Sequence, residues 1–361
     1  MNRVEEYLPE RTIRLLKKQK YALFGHSAVK ICHYTKSSIV SNKTCYKQKF
    51  YGIQSHRCIQ MSPASSFCDQ KCTYCWRPTH TFIPQIQDVH GNADVEVDDP
   101  REIVEESIKA QTKQLSGIGG RKEFNRVKFE QSKQPRHVAI SLTGEPTLYK
   151  RLPELIDEYH KKGISTFVVS NALHPEMLER LVKHPPVQLY LSIDTARQEV
   201  HYDLNKPQLK DSWERLNKSI ELLPKIPARK VIRITGVKGK NLADAKGFAE
   251  LIKKGVPDFV EIKAYMHVGF SQYRLPKEAM PTMEEIEAFA DEVNKHLGYI
   301  KRAMDRESLV VLLTHPSWKD KSTIIDFKKL FPFAYPEQKA ETGNGQNIPA
   351  AAFAEIGTQN T

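Results

Sequence analysis

Short β-rich runs alternate with amphipathic helical stretches from about residue 57 onward, and this alternation constrains the fold more than any other feature. The candidate strands are Arg57–Ser62, His137–Leu142, Thr166–Ser170, Gln188–Ile193, Val231–Thr235 and Phe259–Ala264. Helical patterns between strands are typical of βαβ units and a parallel sheet. The α/β pattern therefore predicts either a partial (β/α)6 TIM-like barrel or a doubly wound sheet. A further run, Leu309–Leu313, fits another strand or a cap.

The same pattern divides the 361 residues into three parts. We expect an N-terminal cysteine-bearing extension over 1–56, the barrel over 57–335 and a mobile tail over 336–361, where Gly, Asn, Gln and Ala are frequent. Within the barrel, residues 76–136 form a long basic insertion that contains a helix near Pro100–Leu115. Insertions of this length beside a motif are more often functional than not.

Composition and charge indicate the cellular location of the protein and the kind of partner it binds. Hydrophobic residues make up 40% of the chain and charged residues 27%, which suits a packed core. No apolar run reaches the roughly 18 residues of a membrane span, and the N-terminus lacks the apolar segment of a secretion signal. We therefore expect a cytoplasmic protein that does not bind membranes. The net charge of +12 favours a polyanionic partner such as nucleic acid.

The six cysteines are confined to the first 75 residues. The last three, Cys68, Cys72 and Cys75, form a C-x3-C-x2-C run directly after the first strand. In a reducing compartment, thiols clustered this closely indicate metal rather than disulfides. Three thiolates can bind three irons of a [4Fe–4S] cube and leave the fourth iron open to substrate atoms. A zinc site completed by His56 or His80 is the alternative.

With Tyr74 before its last cysteine, this run resembles the signature of the radical S-adenosylmethionine superfamily. The resemblance implies that S-adenosylmethionine binds the open iron and is cleaved by one electron to give a 5′-deoxyadenosyl radical. Members of the superfamily carry a Gly-Gly-Glu-like motif after the second strand, where this chain has Thr143, Gly144 and Glu145. Gly144 would allow close backbone approach to the ligand, and Glu145 would accept a hydrogen bond from the methionine ammonium.

Later candidate strands also end in polar residues, and the carboxyl ends of barrel strands face the bound cofactor. These further candidates for ribose and carboxylate contacts are Ser170, Asn171, Ser192, Asp194 and Arg233. A cap or turn role is the alternative for each of them.

The other three cysteines precede the motif as C-x12-C-x12-C, in the order Cys32, Cys45 and Cys58. Three further thiols suggest a second cluster with an open iron, and buried structural cysteines are the alternative. A glycyl-radical activase would share the C-x3-C-x2-C run, but its extra cysteines usually follow the motif. A non-catalytic, zinc-stabilised RNA-binding protein is the other competing hypothesis.

The double cysteine set closely resembles that of the archaeal-type tRNA 4-demethylwyosine synthases, and the resemblance extends from about residue 10 to about 335. Further matching segments are Cys68–Pro78, Ser141–Leu148 and Glu261–Gly269. We expect the flavodoxin-like domain of eukaryotic members to be missing from this protein. We therefore expect a separate electron-donor protein, and a monomeric enzyme.

The resemblance implies a reaction in which N1-methylguanosine at position 37 of tRNA(Phe) condenses with pyruvate. The radical takes hydrogen from the N-methyl group, and the carbon radical adds to pyruvate to build the tricyclic base of 4-demethylwyosine. A second [4Fe–4S] cluster on the three earlier cysteines would present the pyruvate. About eight irons per chain are then expected if both clusters are cubes.

Lys47 follows Cys45 by two residues, at the place where the family has a functional lysine. A lysine whose pKa is lowered by desolvation or by neighbouring cations can form a Schiff base with a keto acid. The resemblance therefore implies that Lys47 is a catalytic residue that activates pyruvate. Lys49 and Lys71 are alternatives, and so is a solvated Lys47 without such a role.

Basic and aromatic residues in two segments fit a tRNA anticodon loop, because its phosphates need cations and an extruded base needs stacking partners. One segment is the insertion, where basic residues interleave with Phe124 and Phe129; the other follows the last candidate strand. The candidate RNA-binding residues are Arg121, Lys122, Arg126, Lys128, His267, Tyr273 and Arg274. Core packing is the alternative for the aromatic residues.

Overall fold

The computed structural model describes residues 3–335, so the predicted tail over 336–361 lies outside the described residues. Residues up to Asp326 belong to one compact unit. Its strands are β1 Ala22–Phe24, β2 Ser27–Val29, β3 Cys58–Ser62, β4 His137–Ile140, β5 Ser165–Ser170, β6 Gln188–Ser192, β7 Arg229–Gly236, β8 Phe259–Ala264, β9 Ile300–Asp305 and β10 Val310–Thr314.

The helices of this unit cover the stretches between the strands and most of the N-terminal extension. They are α1 Val4–Tyr7, α2 Glu10–Lys18, α3 His33–Val40, α4 Tyr46–Tyr51, α5 Pro100–Leu115, α6 Arg126–Ser132, α7 Leu152–Lys161, α8 Pro175–Leu181, α9 Gln198–Asn205, α10 Ser212–Leu222, α11 Ala245–Gly255 and α12 Met283–Leu297. In the second unit, the described residues 327–335 contain α13, Phe327–Leu330. No helix within residues 3–335 is long and apolar enough to cross a membrane.

The strands form one sheet in the order β1-β2-β3-β4-β5-β6-β7-β8-β10-β9. Strands β3 to β8 are all parallel and lie side by side in chain order, without the reversed order of a doubly wound sheet, which confirms the predicted partial (β/α)6 barrel. Antiparallel strands extend it at both sides: the β1–β2 hairpin pairs with β3, and β10 pairs with β8. The ambiguous run Leu309–Leu313 is therefore a strand, and the N-terminal extension contributes part of the sheet.

Successive side chains of the parallel strands point to opposite faces, as the pleat requires. One face carries apolar residues that are fully buried in the main core with the helices: Ile59, Val138, Val168, Leu189, Ile232 and Val260. The alternate positions carry Cys58, Phe167, Tyr190, Arg233 and Glu261. The face turned away from the helical layer is therefore rich in polar, thiol and aromatic groups, and the candidate site is built on it.

The long insertion supplies the crossover helix between β3 and β4. Helix α5 begins where the Asp99 side chain accepts from the backbone N–H groups of Arg101 and Glu102, a strong helix-initiating arrangement. The next part of the insertion packs with α3 in a small apolar cluster of Ile39, Leu115, Ile118, Phe124 and Phe129. Phe124 and Phe129, which the sequence suggested as stacking partners for RNA, are thus partly buried against this cluster.

Candidate active site

The C-x3-C-x2-C loop leaves the carboxyl end of β3 and is held by donors from distant parts of the chain. The backbone N–H of Thr73 donates to the Leu204 carbonyl at 2.8 Å. Arg274 donates from Nε to the Thr73 carbonyl at 3.1 Å and from Nη2 to the Cys75 carbonyl. Arg274, expected to contact RNA, is therefore an anchor of the cysteine loop, because loop carbonyls occupy these donors.

The three motif thiols lie close enough to influence one another. Burial raises the pKa of Cys68, and the neighbouring Asp69 and Cys72 raise it further. Burial likewise raises the pKa of Cys72, with Cys75 as the next cause. Asn205 Nδ2 lies 3.6 Å from the Cys72 sulfur, so the end of α9 offers this sulfur a hydrogen-bond donor. Three clustered thiols with such a donor form a suitable cradle for an iron–sulfur cluster.

The histidines that could complete a zinc site with these thiols have other partners. Among residues 3–335, no three His, Cys, Asp or Glu side chains surround a point that one metal ion could occupy. In a cube the three thiolates bind three different irons and need not converge on one point. The two possible zinc partners point elsewhere: His56 Nε2 pairs with Gln131 Oε1 at 2.7 Å, and the exposed His80 packs on Phe270.

Asp69 ties the cysteine loop to the end of β5 from inside the protein. It is completely buried, accepts from Asn171 Nδ2 at 2.6 Å, and lies 2.9 Å from His174 Nε2. Burial alone would lower the pKa of His174, but the hydrogen bond and charge of Asp69 outweigh burial, and the pKa is raised. The raised pKa favours a charged His174 and a stable ion pair with the loop.

The turn after β4 packs directly on the same loop. Gly144 has φ +72°, and a Cβ at this position would lie 1.9 Å from the Ala64 carbonyl oxygen. Only glycine fits such a conformation and approach. The close approach expected toward a ligand is therefore made to the cysteine loop itself. The hydroxyl Oγ1 of the neighbouring Thr143 is buried and has no partner among the described residues.

Glu145 is held in place by protein donors on both carboxylate oxygens. Oε1 accepts from the Thr147 backbone N–H at 3.0 Å and from its hydroxyl at 2.5 Å. Oε2 accepts from the Asn171 backbone N–H at 2.7 Å. Burial raises the pKa of Glu145, and the hydrogen bonds from Thr147 oppose that increase. The carboxylate is thus fixed where β4 and β5 end, beside the cysteine loop.

Asp194, after β6, connects the next two strands to the loop. It accepts from the Tyr74 hydroxyl and, at 2.5 Å, from the Thr235 backbone N–H. Ser170 Oγ at the end of β5 accepts from a backbone N–H within its own turn. The Nε of Arg233 is inaccessible and has no partner among the described residues, and Ser192 is half-buried. The predicted strand-end residues thus gather around one site, although several serve first to hold the loop.

The earlier cysteines form a second group around Lys47. Burial raises the pKa of Cys58, and the next causes are the neighbouring thiols Cys32 and Cys45. Burial also raises the pKa of Cys45 to about 12, again with Cys32 as the next cause. The positive charge of Lys47 lowers the pKa of all three thiols. The fold therefore brings three cysteines that are up to 26 residues apart in sequence into one three-thiol group, with the Lys47 amine beside it.

Lys47 itself is only 9% exposed, and its Nζ lies 4.1 Å from the centroid of the Tyr190 ring. Burial lowers its pKa, and Arg233 lowers it too, whereas Glu261 and Cys45 raise it. Glu261 is fixed by hydrogen bonds from the Tyr46 and Tyr51 hydroxyls, at 2.8 and 2.7 Å. The site thus presents a buried amine next to three thiols.

The alternative lysines lie in different surroundings. Lys49 donates to Asp305, with half of its side chain exposed, and Lys71 is partly exposed within the motif loop. Lys263, which sequence reasoning missed, lies on the same sheet face as Glu261, and burial lowers its pKa to about 8. Its Nζ donates to the Ser308 carbonyl, whereas no hydrogen bond of the Lys47 Nζ is recorded within residues 3–335.

The other predicted RNA-binding residues lie at the surface. Arg121, Lys122 and Arg126 are exposed, and Lys128 donates to Asn42 Oδ1 at 2.9 Å. Tyr273 is 84% exposed, whereas His267 pairs with the Tyr265 hydroxyl at 3.0 Å. The insertion and the segment after β8 thus offer cations and one exposed aromatic ring.

Comparison with family models and known proteins shows the family of this chain. The family model "Radical SAM superfamily" matches residues 62–252, and "Wyosine base formation" matches residues 254–315. The tRNA 4-demethylwyosine synthase of Pyrococcus abyssi is 45% identical over 314 residues, covering 85% of this chain and 89% of the relative. The chain belongs to the tRNA 4-demethylwyosine synthase family of radical SAM enzymes.

Relatives from other organisms are covered by this chain to different extents. The synthase of Methanocaldococcus jannaschii is 38% identical over 320 residues, covering 86% of this chain and 98% of its own. The synthase of Saccharomyces cerevisiae is 36% identical over 337 residues, covering 89% of this chain and 40% of its own. The family is thus matched along nearly the full archaeal proteins and along less than half of the yeast protein.

Two solved structures of this family share the fold. TYW1 with a lysine-pyruvate adduct bound superposes with a TM-score of 0.79 at 34% identity, covering 88% of this chain and all of that one. Archaeal TYW1 superposes with a TM-score of 0.71 at 31% identity and the same coverage. This chain is therefore an enzyme that uses S-adenosylmethionine and a [4Fe–4S] cluster to modify tRNA in the wyosine pathway.

Proposed function

We propose that this enzyme condenses N1-methylguanosine-37 of tRNA(Phe) with pyruvate to give 4-demethylwyosine, with Lys47 carrying the pyruvate. The observation that carries the proposal is the buried Lys47 amine, which has a lowered pKa and lies over the Tyr190 ring next to the three-thiol group. A lysine-pyruvate adduct in the related TYW1 structure supports it. We expect the enzyme to work as a cytoplasmic monomer with a separate electron donor.

In this proposal Cys68, Cys72 and Cys75 hold the cluster that receives S-adenosylmethionine. When bound, the two groups supply the radical that abstracts hydrogen from the N-methyl group of the base. The unpartnered Thr143 hydroxyl and Arg233 Nε are the donors left free for the cofactor. The other strand-end candidates, Gly144, Glu145, Ser170, Asn171, Ser192 and Asp194, shape its binding site and fix the loop.

The second cluster is proposed on Cys32, Cys45 and Cys58. Lys47 in its neutral form attacks the pyruvate carbonyl carbon, and loss of water leaves a C=N bond to Nζ. The Glu261 carboxylate, held by two tyrosine hydroxyls, stabilises the positive charge that this nitrogen carries when it is protonated. The face of the Tyr190 ring, whose centroid lies near Nζ, also stabilises this positive charge.

A groove of about 990 Å³ is the proposed path of the tRNA phosphates. Its basic residues are Lys17, Lys20, Lys30, Lys36, Lys109, Lys113 and Arg121, and we call it the basic groove. Cys32 also lines it, so the groove leads to the second thiol group. The exposed ring of Tyr273 and the 42%-exposed Trp76, next to Cys75, are proposed to stack with anticodon bases.

Reductive trapping tests the role of Lys47. The protein is incubated with isotopically labelled pyruvate and cyanoborohydride, digested, and mapped by mass spectrometry. We expect label on the Lys47 peptide in the wild type and in the control Lys49→Arg, and none in Lys47→Arg. Label confined to the Lys49, Lys71 or Lys263 peptide would contradict the proposal.

A further inference from the structure

Arg233 is a cation on the active-site face of the sheet that lacks a partner within the described residues. None of the hydrogen bonds and ion pairs recorded within residues 3–335 involves its guanidinium group. Its Nε is inaccessible and unpaired among these residues, and the side chain as a whole is only partly exposed. A guanidinium carries five N–H donors and keeps its charge. Such a group is unfavourable inside a protein unless an anion accepts from it.

The carboxylates that lie nearest to Arg233 along the sheet are bound by other donors. Arg233 pairs with Glu261 in the register of β7 and β8, but two tyrosine hydroxyls donate to the Glu261 carboxylate. Asp194, which follows the neighbouring strand β6, accepts from a tyrosine hydroxyl and from a backbone N–H. The charge of Arg233 is therefore available to an anion that the chain itself does not supply.

Another arginine of the same strand shows what a bound guanidinium looks like. Arg229 lies four residues earlier, on the same face of β7. Its Nη2 donates to the Thr323 carbonyl at 2.6 Å, and its Nε donates to Gln188 Oε1 at 3.2 Å. Its Cζ also lies 4.8 Å from the centroid of the Phe259 ring. Arg229 is therefore held by the protein, and the contrast marks Arg233 as a ligand-binding group.

The strand register places Arg233 beside the Lys47 amine. Lys47 Nζ lies 4.1 Å from the centroid of the Tyr190 ring. Tyr190 precedes Ser192 by two positions in β6, and Ser192 pairs with Arg233. Neighbouring strands are about 4.8 Å apart and two residues span about 6.6 Å, so the backbones of Tyr190 and Arg233 are about 8 Å apart. The long side chain of an arginine can cover such a distance.

The chemistry of an α-keto acid matches this pair of groups. Its carboxylate is attached to the carbonyl carbon, so the carboxylate lies directly beside Nζ when Lys47 attacks that carbon. A carboxylate without a partner is costly in a protein interior, and the planar fork of arginine can donate two parallel N–H···O bonds to it. Lys263, another cation of this face, already donates to the Ser308 carbonyl and offers only a point charge.

We propose that the Nη1 and Nη2 groups of Arg233 bind the carboxylate of pyruvate while Lys47 holds its carbonyl carbon. This inference rests on the proposed function, which brings pyruvate to Lys47. The Nε group remains the donor proposed for S-adenosylmethionine. Arg233 thus selects α-keto acids over carbonyl compounds that lack a neighbouring negative charge.

A comparison of a charged with a neutral carbonyl compound tests this role. Pyruvate and pyruvamide both offer a carbonyl carbon to Lys47, but only pyruvate carries the carboxylate. Each is titrated into the iron-loaded protein in the absence of S-adenosylmethionine, and the product trapped on Lys47 by cyanoborohydride is measured by mass spectrometry. The variants are Arg233→Met, Arg233→Gln and Arg233→Lys, with Arg229→Lys as the matched control on the same strand face.

We expect Arg233→Met and Arg233→Gln to raise the half-saturating pyruvate concentration about tenfold or more, because hydrogen bonds to a charged group are lost. The half-saturating pyruvamide concentration should stay near the wild-type value. Arg233→Lys keeps the charge but loses the fork, so its increase should be smaller. Arg229→Lys should keep the wild-type preference for pyruvate.

Thermal unfolding separates this binding role from a structural one. Removing an unpaired, partly buried cation also removes its desolvation cost, so Arg233→Met should unfold at the wild-type temperature or above it when pyruvate is absent. Arg229→Lys loses recorded hydrogen bonds and should unfold at a lower temperature. A lower unfolding temperature of Arg233→Met would contradict the unpaired state on which the inference depends.

An unchanged half-saturating pyruvate concentration in Arg233→Met or Arg233→Gln would overturn the inference. So would a loss of S-adenosylmethionine affinity in equilibrium dialysis with an unchanged preference for pyruvate, because the guanidinium would then serve the methionine carboxylate alone. If Arg233→Met takes up no iron, Arg233→Gln decides. Absence of trapped product on Lys47 in the wild type would contradict the proposed function and this inference with it, whereas trapping with an unchanged preference contradicts this inference alone.

Discussion

Lys47 gains its reactivity from the residues around its amine. The Tyr190 ring and the surrounding protein take the place of water, so the charged form loses hydration, and burial lowers its pKa. The nearby Arg233 acts in the same direction, and Glu261 opposes it. The net result is a larger neutral fraction near physiological pH than an ordinary lysine has, which Schiff-base formation requires.

The lowered pKa predicts the pH dependence of pyruvate capture. Only the neutral amine attacks the carbonyl carbon, so the initial rate of cyanoborohydride trapping on Lys47 should rise with pH. Its midpoint should fall below the ordinary lysine value of 10.5. Rates are measured from pH 6 to 12 by mass spectrometry, with free Nα-acetyl-lysine as the reference. A midpoint equal to that of the reference compound would contradict this account.

At the scale of elements, the turn after β4 and the loop after β3 form one packed unit. Gly144 brings its backbone against the Ala64 carbonyl, and the Glu145 N–H donates to the Phe67 carbonyl at 2.7 Å. Asp69 then joins the loop to β5 through Asn171. A change in one turn should therefore disturb the position of the motif cysteines.

Replacement of Gly144 by alanine tests this coupling. The new Cβ adds backbone strain and a clash with a carbonyl oxygen, together about 3 kcal/mol or more. Gly239→Ala is the matched control, because Gly239 has a similar φ of +75° but open space around it, so only about 1 kcal/mol is expected. Urea unfolding measures both losses, and an iron count measures loading. Equal losses in the two variants would contradict the proposed clash.

The parallel strands were predictable because each is a buried β-rich run between helical patterns, and α5 was predictable from its Pro100 start. The three-residue strands β1 and β2 were not, since so short a run carries no recognisable period. The cysteine sets were accessible through their spacing, and Lys47 only through the family resemblance. The Asp69–His174 pair was not, because 105 residues separate its members and only the fold brings them together.

At the scale of the whole molecule, a group of positive charges lies in the basic groove that is proposed to bind tRNA. The basic groove is formed by the N-terminal extension and α5, and it opens at Cys32. Helix α11 carries Lys253 and Lys254 on a different part of the sheet, following β7. Net charge alone therefore does not define the RNA surface. The lysines of the basic groove and those of α11 carry the same kind of charge, but only the groove lies beside a thiol, Cys32.

Charge reversal in the groove should weaken tRNA binding in a salt-dependent way. Lys109→Glu with Lys113→Glu removes two phosphate contacts, so the slope of log K against log salt should fall by about 1.5. Lys253→Glu with Lys254→Glu makes the same change of net charge and should leave the slope near the wild-type value. Binding is measured by filter retention at several salt concentrations. Equal effects of the two double variants would contradict the assignment of the groove.

The claim on which the account depends most is that the two cysteine sets hold two clusters around one reaction site. Iron and sulfide are counted after anaerobic reconstitution in the wild type and in two variants, each with one cysteine set replaced by alanine. The account predicts about eight irons and eight sulfides in the wild type and about four of each in either variant. About four irons in the wild type, lost only when Cys68, Cys72 and Cys75 are replaced, would contradict it.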